Sequence, residues 1–283
     1  MINPEMQLVE NLSKAAKKSM RDGYGEAMVK IGKKNKEVVV LVADLKESLR
    51  VGGFAEEFPE RFLEMGIAEQ NMMGVAAGLA LVGRVPVVNS FACFSPGRNW
   101  EQFKVSVCLT GENVKVVGGH AGVGNGADGA NQQSFEDIAI TRVLPNLVVL
   151  APCDFEQIKK ATEAMVEHKG PVYLRMTKPE RAEVTTRMTP FEIGKAQVLR
   201  KGKDVGIIAC GGMVYEALMA AEELAEEIDC EVVNMHTIKP IDRNEIVRLA
   251  QKCRKIVIVE EHQIMGGLGS AVAEVLGEEY PIK

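Results

Sequence analysis

The sequence is short of several features that would point away from ordinary globular chemistry. Aromatic residues are few: one tryptophan, four tyrosines and nine phenylalanines in 283 residues. Basic residues number 34 against 39 acidic ones and are scattered, so there is no positive stripe and little ring area for stacking on bases. This argues against nucleic acid as a partner. The first stretch, MINPEMQLVENLSKAAKKSM, lacks the uninterrupted apolar core of a signal peptide, and no later run stays apolar long enough to cross a bilayer. A cytoplasmic protein without a membrane segment is expected. The six cysteines, at 93, 108, 153, 210, 230 and 253, include no CxxC pair and mostly sit in apolar runs. They read as buried, reduced thiols rather than a metal or redox site. Collagen-like, coiled-coil and low-complexity patterns are also missing.

What is present is a full core. Apolar residues make up 46% and charged residues 26% of the chain. At ~150 residues per domain the length suggests two units. Short β-branched runs alternate with helical patterns: VVVLVAD (38–44), VPVVNSF (85–91), VKVVGGH (114–120), NLVVLAP (146–152) and PVYLRMT (171–177). Strands without in/out alternation are covered on both faces, which implies a largely parallel sheet between helix layers and the α/β class. KPERAEVTTRMTPF (178–191) is charged, carries two prolines and reads as a linker. Beyond it the pattern restarts with strands at 205–211, 231–237 and 255–261 and helices near 213–227, 242–253 and 268–277. Two parallel-sheet domains are therefore expected, 1–185 and 192–283, with a further strand anticipated where the chain stops at YPIK.

Ligands of open parallel sheets collect at the carboxyl ends of the strands. Asp44, Phe91, His120 and Arg175 all fall at or near such ends, which points to a shared cleft. GGHAGVGNGADGANQQ (118–133) has too many glycines for a strand or helix, so its backbone must turn sharply or approach something closely. It is not a P-loop, since no Lys-Ser/Thr follows. His120 beside it is open to a structural or a catalytic role. MGGLGSAV (265–272) is a second glycine-rich turn, read as tight strand-to-helix packing or as an anion-holding helix start. His236 and His262 lack metal-ligand spacing and read as structural; His168 reads as surface. Glu69 opens the helix IAEQNMMGVAAGLALVG. A carboxylate in the first turn can simply offset the helix dipole. An acid among Gly, Ala and Met is costly to bury, however, and a desolvated carboxylate suits proton exchange.

The set GIAEQNMMGVAAGLA, SFACF, GHAGVGNGADG, SFEDIAITRVLPNLVVLAPCD and PVYLRM, in that order, resembles the pyrimidine-binding domain of transketolases. HTIKPID (236–242) and VEEHQIMGGLGSAV (259–272) resemble the transketolase C-terminal domain. The resemblance implies that Glu69 hydrogen-bonds the aminopyrimidine ring nitrogen of thiamine diphosphate, favouring the imino tautomer that takes the proton from C2 of the thiazolium. It implies that Phe91 and Phe94 pack on the pyrimidine and that Asp44 contacts the cofactor. It places His120 near the donor carbonyl, Asp128 at a sugar hydroxyl, and Arg21, Ser48 and Arg175 at the sugar phosphate, where a planar guanidinium fits. Two positions depart from the family. Gln132 stands where many members carry a histidine, and an extra residue between Phe94 and Lys104 leaves both Arg98 and Trp100 as candidates to complete the aromatic wall.

The GDG motif of the family's diphosphate-binding domain does not occur here. By resemblance, then, the chain is the C-terminal section of a split transketolase, inactive alone, with Mg²⁺ held by a separate N-terminal subunit in an α2β2 heterotetramer. The implied reaction moves a two-carbon ketol unit from a ketose phosphate such as xylulose 5-phosphate to an aldose phosphate. The alternatives are a 2-oxo acid dehydrogenase beta subunit, a deoxyxylulose-phosphate-synthase-like enzyme, or a scaffold that has lost catalysis. The smaller domain is expected to serve dimer contacts rather than catalysis.

Overall fold

The computed structural model describes residues 1–280. The strand anticipated at the YPIK end falls on residues 281–283, outside the described residues. Six parallel strands follow the apolar runs: β1 (Val38–Val42), β2 (Phe62–Glu64), β3 (Val85–Phe91), β4 (Lys115–Gly119), β5 (Val148–Leu150) and β6 (Val172–Arg175). They lie side by side in the order β5-β6-β4-β3-β1-β2, with Val40 opposite Val87 and Val88 opposite Val116. Val38, Val40 and Val42 enter one core cluster while Val39 and Leu41 enter another. Both faces are dry, so every position of the strand has to be apolar.

The helices explain the two clusters. α1 (Met20–Lys34) starts at Ser19, whose side chain accepts from the Asp22 N–H, and it packs with α3 (Phe155–Glu167) on one face of the sheet. α2 (Glu69–Leu81) covers the other face through Met72, Met73, Ala76 and Ala77. β1 has β2 on one side and β3 on the other, so the strand order reverses there. That reversal opens a crevice at the carboxyl ends of β1 and β3.

Further strands are β7 (Gln197–Arg200), β8 (Val205–Ala209), β9 (Cys230–Asn234), β10 (Thr237–Lys239) and β11 (Ile256–Val259). Four form a second sheet in the order β11-β8-β9-β7, flanked by α4 (Met213–Glu223), α5 (Arg243–Cys253) and α6 (Leu268–Glu279). The division at the linker is less clean than the sequence pattern implies. β10 pairs antiparallel with β5 and so extends the first sheet, and Ile246, Leu249, Leu268 and Val272 share a core cluster with Met72 and Tyr173. The N-terminal segment also crosses over: the Asn3 N–H donates to the Leu199 carbonyl, and Leu12 packs beside Val184 and Leu218. The charged linker is ordered as well. Arg181–Ala182 pairs with Lys17–Lys18, and the N–H groups of Val184 and Thr185 donate to buried Asp154. Among the described residues no helix is long and apolar enough to span a membrane.

Candidate active site

The crevice collects most of the polar residues singled out from the sequence. Asp44 and His120 each sit just past the end of a parallel strand with left-handed backbone, φ 57° and 58°. Non-glycine residues pay about 1–2 kcal/mol for this conformation, which tends to persist where a site is built. Asp44 is exposed and its N–H is held by the Glu64 carboxylate at 2.8 Å. His120 is 2% exposed, and its ring stacks on Phe91 with centroids 3.8 Å apart. Phe91 and Phe94 are themselves stacked at 6.0 Å, forming a short aromatic wall.

Glu69 is joined to that wall through Arg98. It is 1% exposed at the first position of α2, where the helix dipole favours its negative charge. Arg98 supplies the counter-charge, its Nη1 donating to Glu69 Oε2 at 3.2 Å while its guanidinium lies over the Phe94 ring at 4.6 Å. The segment between them is pinned: Asn99 Nδ2 donates to the Glu69 carbonyl at 3.3 Å and to Ser95 Oγ at 3.0 Å. Arg98 is therefore the residue beside the wall. Trp100 turns away, its indole N–H donating to the Ile140 carbonyl at 2.6 Å.

On the far side of His120 lies a cationic rim. Arg21 Nη1 donates to the Ser48 carbonyl at 3.1 Å, and its Nε is buried without a partner. Lys178 donates to Asp128 Oδ2 at 2.6 Å and to the Asn125 carbonyl at 2.9 Å, and this hydrogen bond lowers the Asp128 pKa. Burial, followed by the nearby charges of Arg21 and Lys178, pushes the His120 pKa down to about 3. The imidazole is thus neutral, and its Nδ1 is buried without a hydrogen-bond partner. A buried orphan of this kind is aimed at something the chain itself does not provide. Gln132 sits in the glycine-rich loop, where its carbonyl accepts from Asn125 Nδ2.

Arg175 departs from the expectation. Its Nε donates to Asp137 Oδ2 at 2.8 Å and its Nη2 to the Glu261 carbonyl at 2.7 Å, with the side chain 3% exposed. An ion pair this buried is committed, since releasing one partner would strand the other charge in the core. Arg175 therefore ties the two domains together and does not reach the crevice. Lys178, read from the sequence as the start of a linker, occupies the cationic place instead. Its signal was its position just past the carboxyl end of β6, the edge on which the other cleft residues lie.

A parallel sheet whose switch-point crevice carries a buried, helix-opening glutamate, and a phenylalanine wall joined to it by Arg98, has the make-up of a cofactor-binding domain for a flat, nitrogen-bearing ring. The orphaned His120 Nδ1, the buried Glu69 and the wall fit the aminopyrimidine of thiamine diphosphate, which offers hydrogen-bonding edges and an aromatic face. Comparison with known proteins narrows this class. The family described as "Transketolase, pyrimidine binding domain" matches residues 16–182, and "Transketolase, C-terminal domain" matches 194–282. The chain is 48% identical over 262 residues to the "Putative transketolase C-terminal section" of Methanocaldococcus jannaschii, covering 92% of this chain and 82% of that protein. It is 41% identical over 264 residues to the 6-deoxy-6-sulfo-D-fructose transketolase subunit SqwH of Clostridium sp. (strain MSTE9), covering 93% and 82%. A solved structure described as "Split gene transketolase, inactive beta4 tetramer" superposes with a TM-score of 0.87 at 48% identity, over 93% of this chain and 86% of that one. The chain belongs to the transketolase family and comprises its pyrimidine-binding and C-terminal domains.

Proposed function

We propose that this chain is the pyrimidine-side subunit of a split transketolase, moving a two-carbon ketol unit from a ketose phosphate such as xylulose 5-phosphate to an aldose phosphate. The observation that carries the reading is Glu69, buried at the start of α2 and joined to the phenylalanine wall by Arg98, which lies over the Phe94 ring. When bound, thiamine diphosphate would supply an acidic ring carbon as a latent nucleophile and a cationic ring as an electron sink. Glu69 holds and returns a proton at its carboxylate, and the two phenylalanines exclude water from one face of the ring. Asp44 contributes to cofactor binding at the adjoining strand end. His120, neutral, offers a hydrogen bond near the donor carbonyl without adding charge. Asp128 contacts a sugar hydroxyl. Arg21 and Lys178, with Ser48 beside them, receive the terminal anion.

The divalent cation and the diphosphate belong, in this reading, to a separate N-terminal subunit, and the working assembly is α2β2. The outer face of α2 supports an interface there. Gly74 and Gly78 have open space around them, and Ile67, Leu81 and Val82 are each more than 70% exposed. Such a surface suits close helix packing against another chain. Arg21 and Lys178 would bind a sulfonate as readily as a phosphate, the substrate type named for the Clostridium relative. Donor preference is therefore part of the test. Ketol transfer is measured with thiamine diphosphate and Mg²⁺ for this chain alone and mixed with the candidate N-terminal subunit. Activity only in the mixture is the expected outcome. Consumption of a 2-oxo acid instead of a ketose phosphate overturns the reading.

A further inference from the structure

A side chain of the second domain reaches the base of the glycine-rich loop. Glu261 follows β11, and its Oε1 accepts from the Val123 N–H at 2.8 Å, three residues beyond His120. Its Oε2 is paired with Arg181 Nη2 at 3.0 Å, and its own carbonyl receives Arg175. The carboxylate presses on Gly122, φ 82°, where an added Cβ would fall 2.3 Å from Glu261 Cδ. The backbone at φ 82° favours glycine at 122, and a side chain there would displace the Glu261 carboxylate from its grip on Val123. Gly122 also donates to the Ser134 carbonyl at 2.8 Å, which closes the base of the 122–133 loop. Asp128 and Gln132 ride on that loop, and His120 leads into it.

We propose that Glu261 is a positioning residue: by gripping Val123 and filling the space over Gly122, it sets the base of the glycine-rich loop and hence the placement of His120 and Asp128. The C-terminal domain then takes part in shaping the substrate side of the crevice, beyond contacts between chains. The proposal rests on the functional reading above only for its consequence on sugar binding, and its physical core is tested without activity.

Hydrogen exchange is followed on the whole chain for wild type, Glu261→Ala and Glu261→Gln. In E261A, peptides spanning 121–135 are expected to exchange about tenfold faster, with β8 and β9 unchanged. E261Q keeps an acceptor for the Val123 N–H and is expected to retain most of the protection. Unchanged exchange in 121–135, or equal acceleration throughout both domains in E261A and E261Q alike, overturns the proposal. If E261A does not fold, Arg181→Met, which leaves the carboxylate in place without its counter-charge, is expected to accelerate the same peptides about threefold, and no change overturns the proposal. In the reconstituted pair, E261A is expected to raise KM for the donor about tenfold with kcat within about twofold, the pattern of lost substrate positioning. A wild-type pair without ketol transfer refutes the functional reading and leaves the exchange result standing.

Discussion

Strand β4 has a buried base at each end, and the fold treats the two in opposite ways. At the start, Lys115 is fully buried, and its Nζ donates to Asn113 Oδ1 at 2.7 Å and to the carbonyls of His168 and Gly170 at 2.7 and 2.6 Å. All three donors of the ammonium are used. Just past the other end, His120 is equally buried, but its Nδ1 has no partner and its backbone is left-handed. Burial depresses both, Lys115 to about 7 and His120 to about 3. The difference is one of satisfaction. Lys115 is saturated by the chain whereas His120 is left open, which is what separates a structural polar residue from one able to take a ligand.

The sharpest way to test this contrast is to damage each end and ask what fails. Glu69→Ala, at the carboxyl-end crevice, is expected to lower ketol transfer of the reconstituted pair by about 10²–10⁴-fold. Lys115→Met should leave transfer within about twofold, because nothing at that end touches the reaction. Transfer that survives Glu69→Ala undiminished removes the proposed proton relay.

Stability should show the reverse order. Lys115→Met strands three acceptors and is expected to lower the unfolding free energy by ~2–4 kcal/mol, read from denaturant midpoints. His120→Asn loses no hydrogen bond and suits left-handed backbone, so it should stay within ~1 kcal/mol of wild type. If the His120 variant proves the weaker of the two, the contrast is broken.

Acid sharpens it further. His120 and His236 both have folded values below the ordinary 6.5, about 3 and about 4, because burial disfavours their charged forms. Below pH 6.5 the unfolded chain binds protons that the folded chain refuses. Their contribution is therefore complete above pH 6.5 and is lost as pH falls toward 4. The slope should be about 1 kcal/mol per pH unit per histidine, somewhat under the full ~1.4 because the unfolded imidazole is only partly protonated near pH 6.5. His120→Asn should remove close to half of it, measured by urea titrations between pH 6.5 and 4.5. The smallest expected effect is at Asp44. Glycine there relieves the left-handed cost and should raise stability by up to ~1 kcal/mol, at the expense of activity.

Much of the fold was legible because burial on both faces leaves a direct mark: an unbroken apolar run such as VVVLV can only be a covered strand. The shared edge was legible for a related reason, since parallel strands send their carboxyl ends to one side and Asp44, Phe91 and His120 all sit there. The pairing of Arg175 was not legible because its partner, Asp137, lies 38 residues away on another element, and only packing brings the two together. The linker was legible as the join between the two domains, but its order was not, because that order comes from outside it, through Asp154 and the Lys17–Lys18 strand, while its own composition is that of a loop. β10 was missed because a three-residue edge strand has too little periodicity to register, and its pairing partner belongs to the other domain.

The amino-acid sequence alone determined the α/β class, the parallel strands, the acid at the head of an apolar helix and the glycine-rich loop, since each follows from local composition and spacing. Only the tertiary structure decided which charges were already spent. It matched Arg175 to Asp137, gave Lys178 to the crevice, put Arg98 rather than Trp100 at the aromatic wall, and brought Glu261 across from the second domain. Those outcomes depend on contacts between residues far apart in the chain. A charge seen in a sequence carries no sign of whether folding will pair it or leave it for a ligand.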